Sequence, residues 1–311
     1  MAGRAGKYTN DSNDPREEVV LIDYLRLLRP QQWIKNVFLF AGLIFSRQFY
    51  YTESVVTSIF AFFIFSVLSS GIYILNDIFD CEEDKLHPVK SKRPIAAGKI
   101  KRKTAWIISI LLIIISLLLA CNVNNPFFYT CLIYSGMMIL YSLKIKQIII
   151  LDVLFVAIGY VLRAIAGAVA IRVEISSWLL LCTLLLALFI VVSKRRTEIV
   201  ILGKDAMKHR KILSHYSIDL LNQMIAIVTS ACIVSYCLYT LAPETVSKFH
   251  TRNLIFTVPF VIYGIFRYLY LTYRKLEADI PEKILITDLP LQICLILWMI
   301  ACILILTRVL G

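Results

Sequence analysis

Long apolar runs constrain this chain more than any other feature. They fall near 34–50, 54–76, 104–121, 127–143, 149–171, 177–193, 219–241, 253–272 and 285–307. Several reach the about 20 residues that a helix needs to cross the hydrocarbon core of a bilayer. Inside lipid every backbone N–H and C=O must be paired within the protein, so only helices and closed barrels span. The runs carry too little period-two alternation for a barrel. The expected fold class is therefore all-α, a polytopic membrane bundle of nine transmembrane helices around a central cavity. The scarcity of charge, 17% against 59% hydrophobic residues, agrees.

Residues 1–18 are polar and expected to be disordered and cytoplasmic, with a single catalytic domain over 19–311. The first twenty residues lack an apolar h-region, so no cleavable signal peptide is expected. Leu21 to Trp33 reads as an amphipathic approach along the membrane surface, with Arg26, Arg29 and Pro30.

The connections alternate in character. Those after the second, fourth, sixth and eighth runs are basic, carrying Lys85 to Lys103, Lys144 and Lys146, Lys194 to Lys211, and Arg274 to Lys283. Those at 121–126, 172–176 and 242–252 are short and nearly neutral. The positive-inside rule then puts the N-terminus and the basic connections in the cytoplasm and the C-terminus outside. The net charge of +12 fits contact with anionic lipid or phosphate. The eight cysteines form no CxxC pair, and seven lie in or at the ends of apolar runs, which argues against a disulfide framework or a zinc site.

The densest chemistry lies in 76–94, directly after an apolar run. On a helix leaving the membrane, Asn76, Asp80 and Asp84 repeat every four residues, and Asp77, Asp80 and Asp84 fall at i, i+3 and i+7. The carboxylates would share a face, repel, and raise one another's pKa. A hard divalent cation removes that conflict, and oxygen-only ligands with positions left for phosphate suit Mg²⁺. Lys85, Lys90, Lys92 and Arg93 downstream suit the rest of a phosphorylated ligand. Pro88 and Pro94 end the helix and stiffen the loop. The bland alternative is a solvated mixed-charge loop.

A second polar cluster follows half a chain later. Tyr141, Lys144 and Lys146 precede the fifth run, and Asp152 and Arg163 lie inside it. The last two are eleven residues apart, about 16 Å or three turns, and share a face. An arginine this deep should face a cavity and bind an anion, or else close a structural pair with Asp152 or a carbonyl. Ala164, Ala166, Gly167, Ala168 and Ala170 are small enough for close helix approach. Ser193-Lys194-Arg195-Arg196-Thr197-Glu198 is either a positive-inside anchor or a clamp for a lipid phosphate. Lys35 and Arg267 are either snorkelling anchors or ligand contacts. Asp279, Glu282 and Asp288 are weak evidence for another acidic site. His87, His209, His215 and His250 show no ligand spacing.

Four motifs occur in order: Leu28-Arg29-Pro30-Gln31-Gln32-Trp33-Ile34-Lys35-Asn36; Asn76-Asp77-x-x-Asp80-x-x-x-Asp84 with His87-Pro88-x-Lys90-x-x-Arg93-Pro94-Ile95-Ala96-Ala97-Gly98; Leu162-Arg163-Ala164-Ile165-Ala166-Gly167; and Lys194-Arg195-Arg196-x-Glu198. Together they resemble the UbiA superfamily of intramembrane prenyltransferases, and within it the decaprenyl-phosphate phosphoribosyltransferase branch, over about 20–309. The superfamily's prenyl-diphosphate users carry a second motif with paired aspartates, which this chain lacks around Asp152.

The resemblance implies transfer of 5-phosphoribose from phosphoribosyl diphosphate to a polyprenyl phosphate, for arabinose-donor and cell-envelope precursors. It implies Asp77, Asp80 and Asp84 as catalytic carboxylates, with Mg²⁺ on Asn76, Asp80 and one of Asp77 and Asp84. Lys35, Tyr73, Lys90, Arg93, Lys144 and Arg163 are then contacts of the donor, and Lys194, Arg195 and Arg267 of the lipid phosphate. The expected setting is the plasma membrane, with the bilayer and the two substrates as partners, no nucleic acid, and self-association left open. A UbiA-type prenyltransferase using prenyl diphosphate and an aromatic acceptor is the nearest rival. A transporter is the second, although its acidic residues should sit nearer mid-membrane.

Overall fold

The computed structural model describes residues 15–87, 89–203, 211–275, 284–285 and 287–307. Residues 1–14, Pro88, His209, Asp279, Pro281 and Glu282 lie outside that set. α1 (Pro15–Leu28) takes in residues 15–18, expected to be disordered, and the first part of the amphipathic approach expected over Leu21 to Trp33. After it come a 3₁₀ stretch (Pro30–Leu39), α2 (Phe40–Phe45), α3 (Thr52–Phe79) and α4 (Cys81–Leu86). The bundle continues with α5 (Arg102–Val123), α6 (Asn125–Leu143), α7 (Leu151–Ala170), α8 (Ser177–Leu202) and α9 (Ile218–Leu241). It closes with α10 (Pro243–Phe249), α11 (Val258–Tyr270) and α12 (Leu289–Leu306). No strand occurs among the described residues, and eight helical segments among them are long and apolar enough to cross a bilayer.

The outer faces are those of a membrane protein. α5 turns Ile107, Leu111, Ile114 and Leu118 outward, and α9 exposes Ile227, Val234 and Leu238. Such surfaces are stable against acyl chains and not against water. The chain is a multi-pass membrane protein.

The first expected span is not a membrane-length α-helix, yet it crosses the bundle. At one end Arg29 ion-pairs with Asp77, near the end of α3. At the other, Arg47 donates to the carbonyl of Phe249, 3.0 Å away. A 3₁₀ helix rises about 2.0 Å per residue against 1.5 Å in an α-helix, so the sixteen residues from Pro30 to Phe45 reach about 29 Å rather than 24 Å. The described chain thus makes nine passes, eight as membrane-length segments and one broken.

The small stripe of α7 receives that broken segment. A Cβ added to Gly167 would sit 1.8 Å from the carbonyl oxygen of Leu39, and one on Gly42 would sit 2.9 Å from the Cα of Ala168. Backbone meets backbone there, and no rotamer relieves the clash. Gly167→Val is therefore expected to destabilise by more than the about 1–3 kcal/mol of ordinary overpacking. A fall in the thermal midpoint in detergent, with loss of the monodisperse species, checks this.

Among the described residues, the basic stretches after α4, after α6 and at the end of α8 meet at one end of the bundle. Lys146, after α6, pairs with Asp80 at the α3–α4 junction, and Lys90 lies 3.5 Å from Glu198 of α8. The backbone N–H of Ile150 donates to the hydroxyl of Tyr216, 2.8 Å away.

Candidate active site

A cavity of about 330 Å³ lies at that end. Eight basic side chains line it: Arg29, Lys35, Lys90, Arg93, Lys146, Arg163, Lys194 and Arg195. Only four acidic ones do, Asp80, Glu83, Asp84 and Glu198, so the cavity is built for an anion.

The Asp-rich stretch does not stay on one helix. α3 ends at Phe79 and α4 begins at Cys81, with Asp80 at the junction. The acidic groups therefore fall into two sets. Asn76 donates from Nδ2 to Oδ2 of Asp80 at 2.9 Å, and both line the cavity beside Lys146, which also pairs with Asp80. Asp77 and Asp84 instead share Arg93, at 3.1 and 2.5 Å, and Asp77 also holds Arg29. The expected repulsion between carboxylates is thus relieved by the chain's own cations. Asp84 lines the cavity, and burial pushes its carboxyl above the usual range while Arg93 draws it back. Asp77, expected at the centre of the site, does not line the cavity and ties α3 to the 29 and 93 segments.

Asn76 and Asp80 fit a hard divalent cation. Both are oxygen-bearing, they converge, and Asp80 is not locked into a buried arginine pair. Among the described residues no three His, Cys, Asp or Glu side chains gather to hold an ion alone. A cation here would need ligand oxygens to complete its shell, as phosphate-bound Mg²⁺ does.

Arg163 forms the other pole. Twelve residues into α7, it lies about 18 Å from that helix's start. Its Nε donates to Oδ1 of Asn36 at 2.8 Å, Nη1 to the Gly159 carbonyl at 2.7 Å, and Nη2 to the hydroxyls of Tyr134 at 2.7 Å and Tyr73 at 3.3 Å. The rings of Tyr134 and Tyr160 flank it at 4.9 and 5.3 Å. Every one of these partners is neutral. Of the two structural pairings open to it, Arg163 makes the one with a carbonyl, that of Gly159, and not the one with Asp152; among the described residues it is a buried cation with no carboxylate partner. Lys35 and Tyr73 line the same region.

α8 supplies the third wall. Lys194, Arg195 and Glu198 line the cavity one turn beyond Ile190 and Val191, so a basic rim tops an apolar strip. Asp152 lies fully buried behind it and accepts from Nε of Arg195 at 2.9 Å and from Tyr216 at 2.6 Å. The cavity's acidic group on this side is Glu198, which the sequence motif contains but to which it assigned no role of its own. Its i+4 spacing from Lys194 on an amphipathic helix end was the available signal.

Other expected residues divide. Tyr73, Lys90 and Arg93 reach the cavity. Lys144 caps α6 and is exposed, while the 3₁₀ turn Ile145–Gln147 brings Lys146 inward in its place. Arg267 lies outside the cavity and forks onto Asp288 at 3.1 and 2.8 Å, joining α11 to the N-cap of α12. His87 lines the cavity but serves the loop, since Nδ1 accepts from the backbone of Val89 and Lys90 at 3.2 and 3.3 Å.

Residues 37–287 match the model of the UbiA prenyltransferase family. The chain is 30% identical over 280 residues to the decaprenyl-phosphate phosphoribosyltransferase of Corynebacterium glutamicum, covering 88% of this chain and 83% of that one. It is 29% identical over 285 residues to the protein of the same name from Mycolicibacterium smegmatis, covering 88% and 89%. In fold it is similar to a UbiA homologue from Archaeoglobus fulgidus solved with GPP and Mg²⁺, with a TM-score of 0.69, 19% identity and coverage of 92% and 99%.

Proposed function

This chain belongs to the UbiA prenyltransferase family, and from that premise we propose that it transfers 5-phosphoribose from phosphoribosyl diphosphate to a polyprenyl phosphate, releasing pyrophosphate. The observation that carries the reading is the uncompensated guanidinium of Arg163, set apart from the carboxylates of the same cavity. A prenyl diphosphate has one anionic end and an apolar tail, which leaves that cation unmatched. Phosphoribosyl diphosphate has an anion at each end. The relatives named as decaprenyl-phosphate phosphoribosyltransferases support the same substrate pair.

In this reading the donor's diphosphate lies against Asn76, Asp80 and Lys146, with Lys90 and Arg93 beside it. The 5-phosphate reaches Arg163, Lys35 and Tyr73. The polyprenyl phosphate places its head at Lys194 and Arg195 and its first isoprenoid units along Ile190 and Val191. A phosphate oxygen of the lipid attacks C1 of the ribose as the C1–O bond to the diphosphate breaks, and the bonding pair leaves with pyrophosphate. The nucleophile is already anionic at neutral pH, so no general base is needed. The chain's role is positioning and charge neutralisation. A divalent cation at Asn76 and Asp80, Mg²⁺ in this reading, adds neutralisation of the leaving pyrophosphate. The active site faces the cytoplasm of the cell membrane, by the positive charge of the connections around it.

The test is product mass. Purified protein in nanodiscs, given phosphoribosyl diphosphate, polyprenyl phosphate and Mg²⁺, should yield a lipid heavier by one ribose 5-phosphate unit. Absence of that lipid, with turnover of a prenyl diphosphate and an aromatic acceptor, overturns the reading.

Lys146 carries a separate expectation. Its ammonium pairs with Asp80 and is placed to exchange onto diphosphate. Lys146→Met should therefore tighten Mn²⁺ binding in the absence of donor, while weakening donor binding about tenfold, the size of one lost charge-assisted contact. Electron paramagnetic resonance of free Mn²⁺ reads the first effect, and unchanged metal affinity would show that the pair does not compete.

A further inference from the structure

From the cavity lining at Lys90, Glu198 and Arg195 a chain of contacts runs back behind the α8 wall to Asp152 and Tyr216, which the transfer reaction does not use directly. Oδ1 of Asp152 accepts from Tyr216 at 2.6 Å and Oδ2 from Nε of Arg195 at 2.9 Å. Arg195 continues through Nη1 to Glu198 at 3.0 Å, and Glu198 to Lys90 at 3.5 Å. Tyr216 also accepts the N–H of Ile150, a β-branched residue held at φ 69°. That left-handed backbone is costly for isoleucine and persists only where its surroundings hold it.

We infer that Asp152 is a positioning residue for the lipid phosphate, acting through Arg195. The inference rests on the phosphoribosyl-transfer reading for the identity of that phosphate. A guanidinium is a planar fork, and its value as a phosphate ligand depends on the plane in which it is held. Here Asp152 grips Nε from behind the wall and Glu198, itself on the cavity lining, grips Nη1, so two acidic groups fix the plane of a side chain that lines the cavity. The carboxylate of Asp152 is wholly buried and does not line the cavity, so it cannot meet substrate itself. Its second oxygen fastens Tyr216, which holds the segment after α8 against the start of α7, next to Lys146 and its 3₁₀ turn.

The test uses full-length protein in nanodiscs and farnesyl phosphate, a short polyprenyl monophosphate, with dissociation constants read by calorimetry. Arg195→Gln and Asp152→Asn should each weaken farnesyl phosphate by about tenfold, the size of one charge-assisted contact. The combined variant should be no weaker than Arg195→Gln alone, because Asp152 acts through that arginine. Phosphoribosyl diphosphate affinity should stay within about threefold throughout, well inside the tenfold effect. Failure of wild-type protein to bind farnesyl phosphate, an unchanged constant in Asp152→Asn, or multiplied losses in the combined variant would each overturn the inference. Should Asp152→Asn not fold, Arg195→Lys decides. It keeps the charge and loses the two-sided grip, so weakened binding supports the inference and unchanged binding overturns it. If these binding patterns hold while wild-type protein transfers no phosphoribose, the reaction reading fails and the positioning role stands.

Discussion

Asp80→Asn is expected to remove at least about three orders of magnitude of kcat/KM, some 4 kcal/mol of transition-state stabilisation, while leaving the bundle folded. The size follows from position. Asp80 is the acidic side chain that converges with Asn76 on the cavity, and its cationic partner is a lysine, whose long flexible stem lets it move away. An amide in its place keeps the shape and loses the charge that a divalent cation and a diphosphate need between them. Asp77→Asn makes the control, because the same chemical change there strikes a different function. Asp77 holds Arg29 and Arg93, whose side chains are 20% and 25% exposed. Partial solvation reduces the cost below the about 3–5 kcal/mol of breaking a fully buried pair. Asp77→Asn should thus lower the unfolding midpoint more than Asp80→Asn does, and turnover less. The reverse order in the two assays would move the centre of the site from Asp80 to Asp77.

Sequence spacing grouped Asp77 with Asp80 and Asp84, whereas the structure turns it to Arg29 and Arg93. Spacing of i, i+3 and i+7 puts three aspartates on one face only while the helix continues. The backbone turns at Asp80, and the cations that pair with Asp77 come from positions 29 and 93, which spacing within 76–84 cannot see. The membrane spans were legible because about 20 apolar residues in a row have few other fates. The first pass was legible as apolar and not as 3₁₀, because its geometry answers to Gly167 and Ala168, more than a hundred residues away. Lys146 replaced Lys144 for a similar reason. Two lysines two residues apart are equivalent until a particular turn aims one of them. Asp152 stood out as an acidic residue inside an apolar run, but its place in the sequence did not say that its partner would be Arg195 rather than Arg163.

Arg163→Met is expected to weaken phosphoribosyl diphosphate by at least about a hundredfold, with a far smaller effect on the polyprenyl phosphate. A buried cation held only by neutral oxygens has its desolvation incompletely offset, and an arriving phosphate supplies what is missing. The four donor contacts to Asn36, Gly159, Tyr134 and Tyr73 fix the guanidinium before the ligand enters, so little ordering remains to be done on binding. Loss of the side chain also leaves Asn36 and Tyr134 short of a donor, so a general loosening of the site could imitate lost recognition. A donor analogue without its 5-phosphate separates the two. If Arg163 reads that phosphate, wild-type protein loses about as much affinity for the analogue as Arg163→Met loses for the full donor. The variant should then hardly distinguish the two ligands. Arg163→Lys, which keeps the charge but cannot reach four acceptors, should fall between them. Equal losses in Arg163→Met for both the full and the truncated donor would make Arg163 a brace for Asn36 and Tyr134 and leave the deep pole without a ligand.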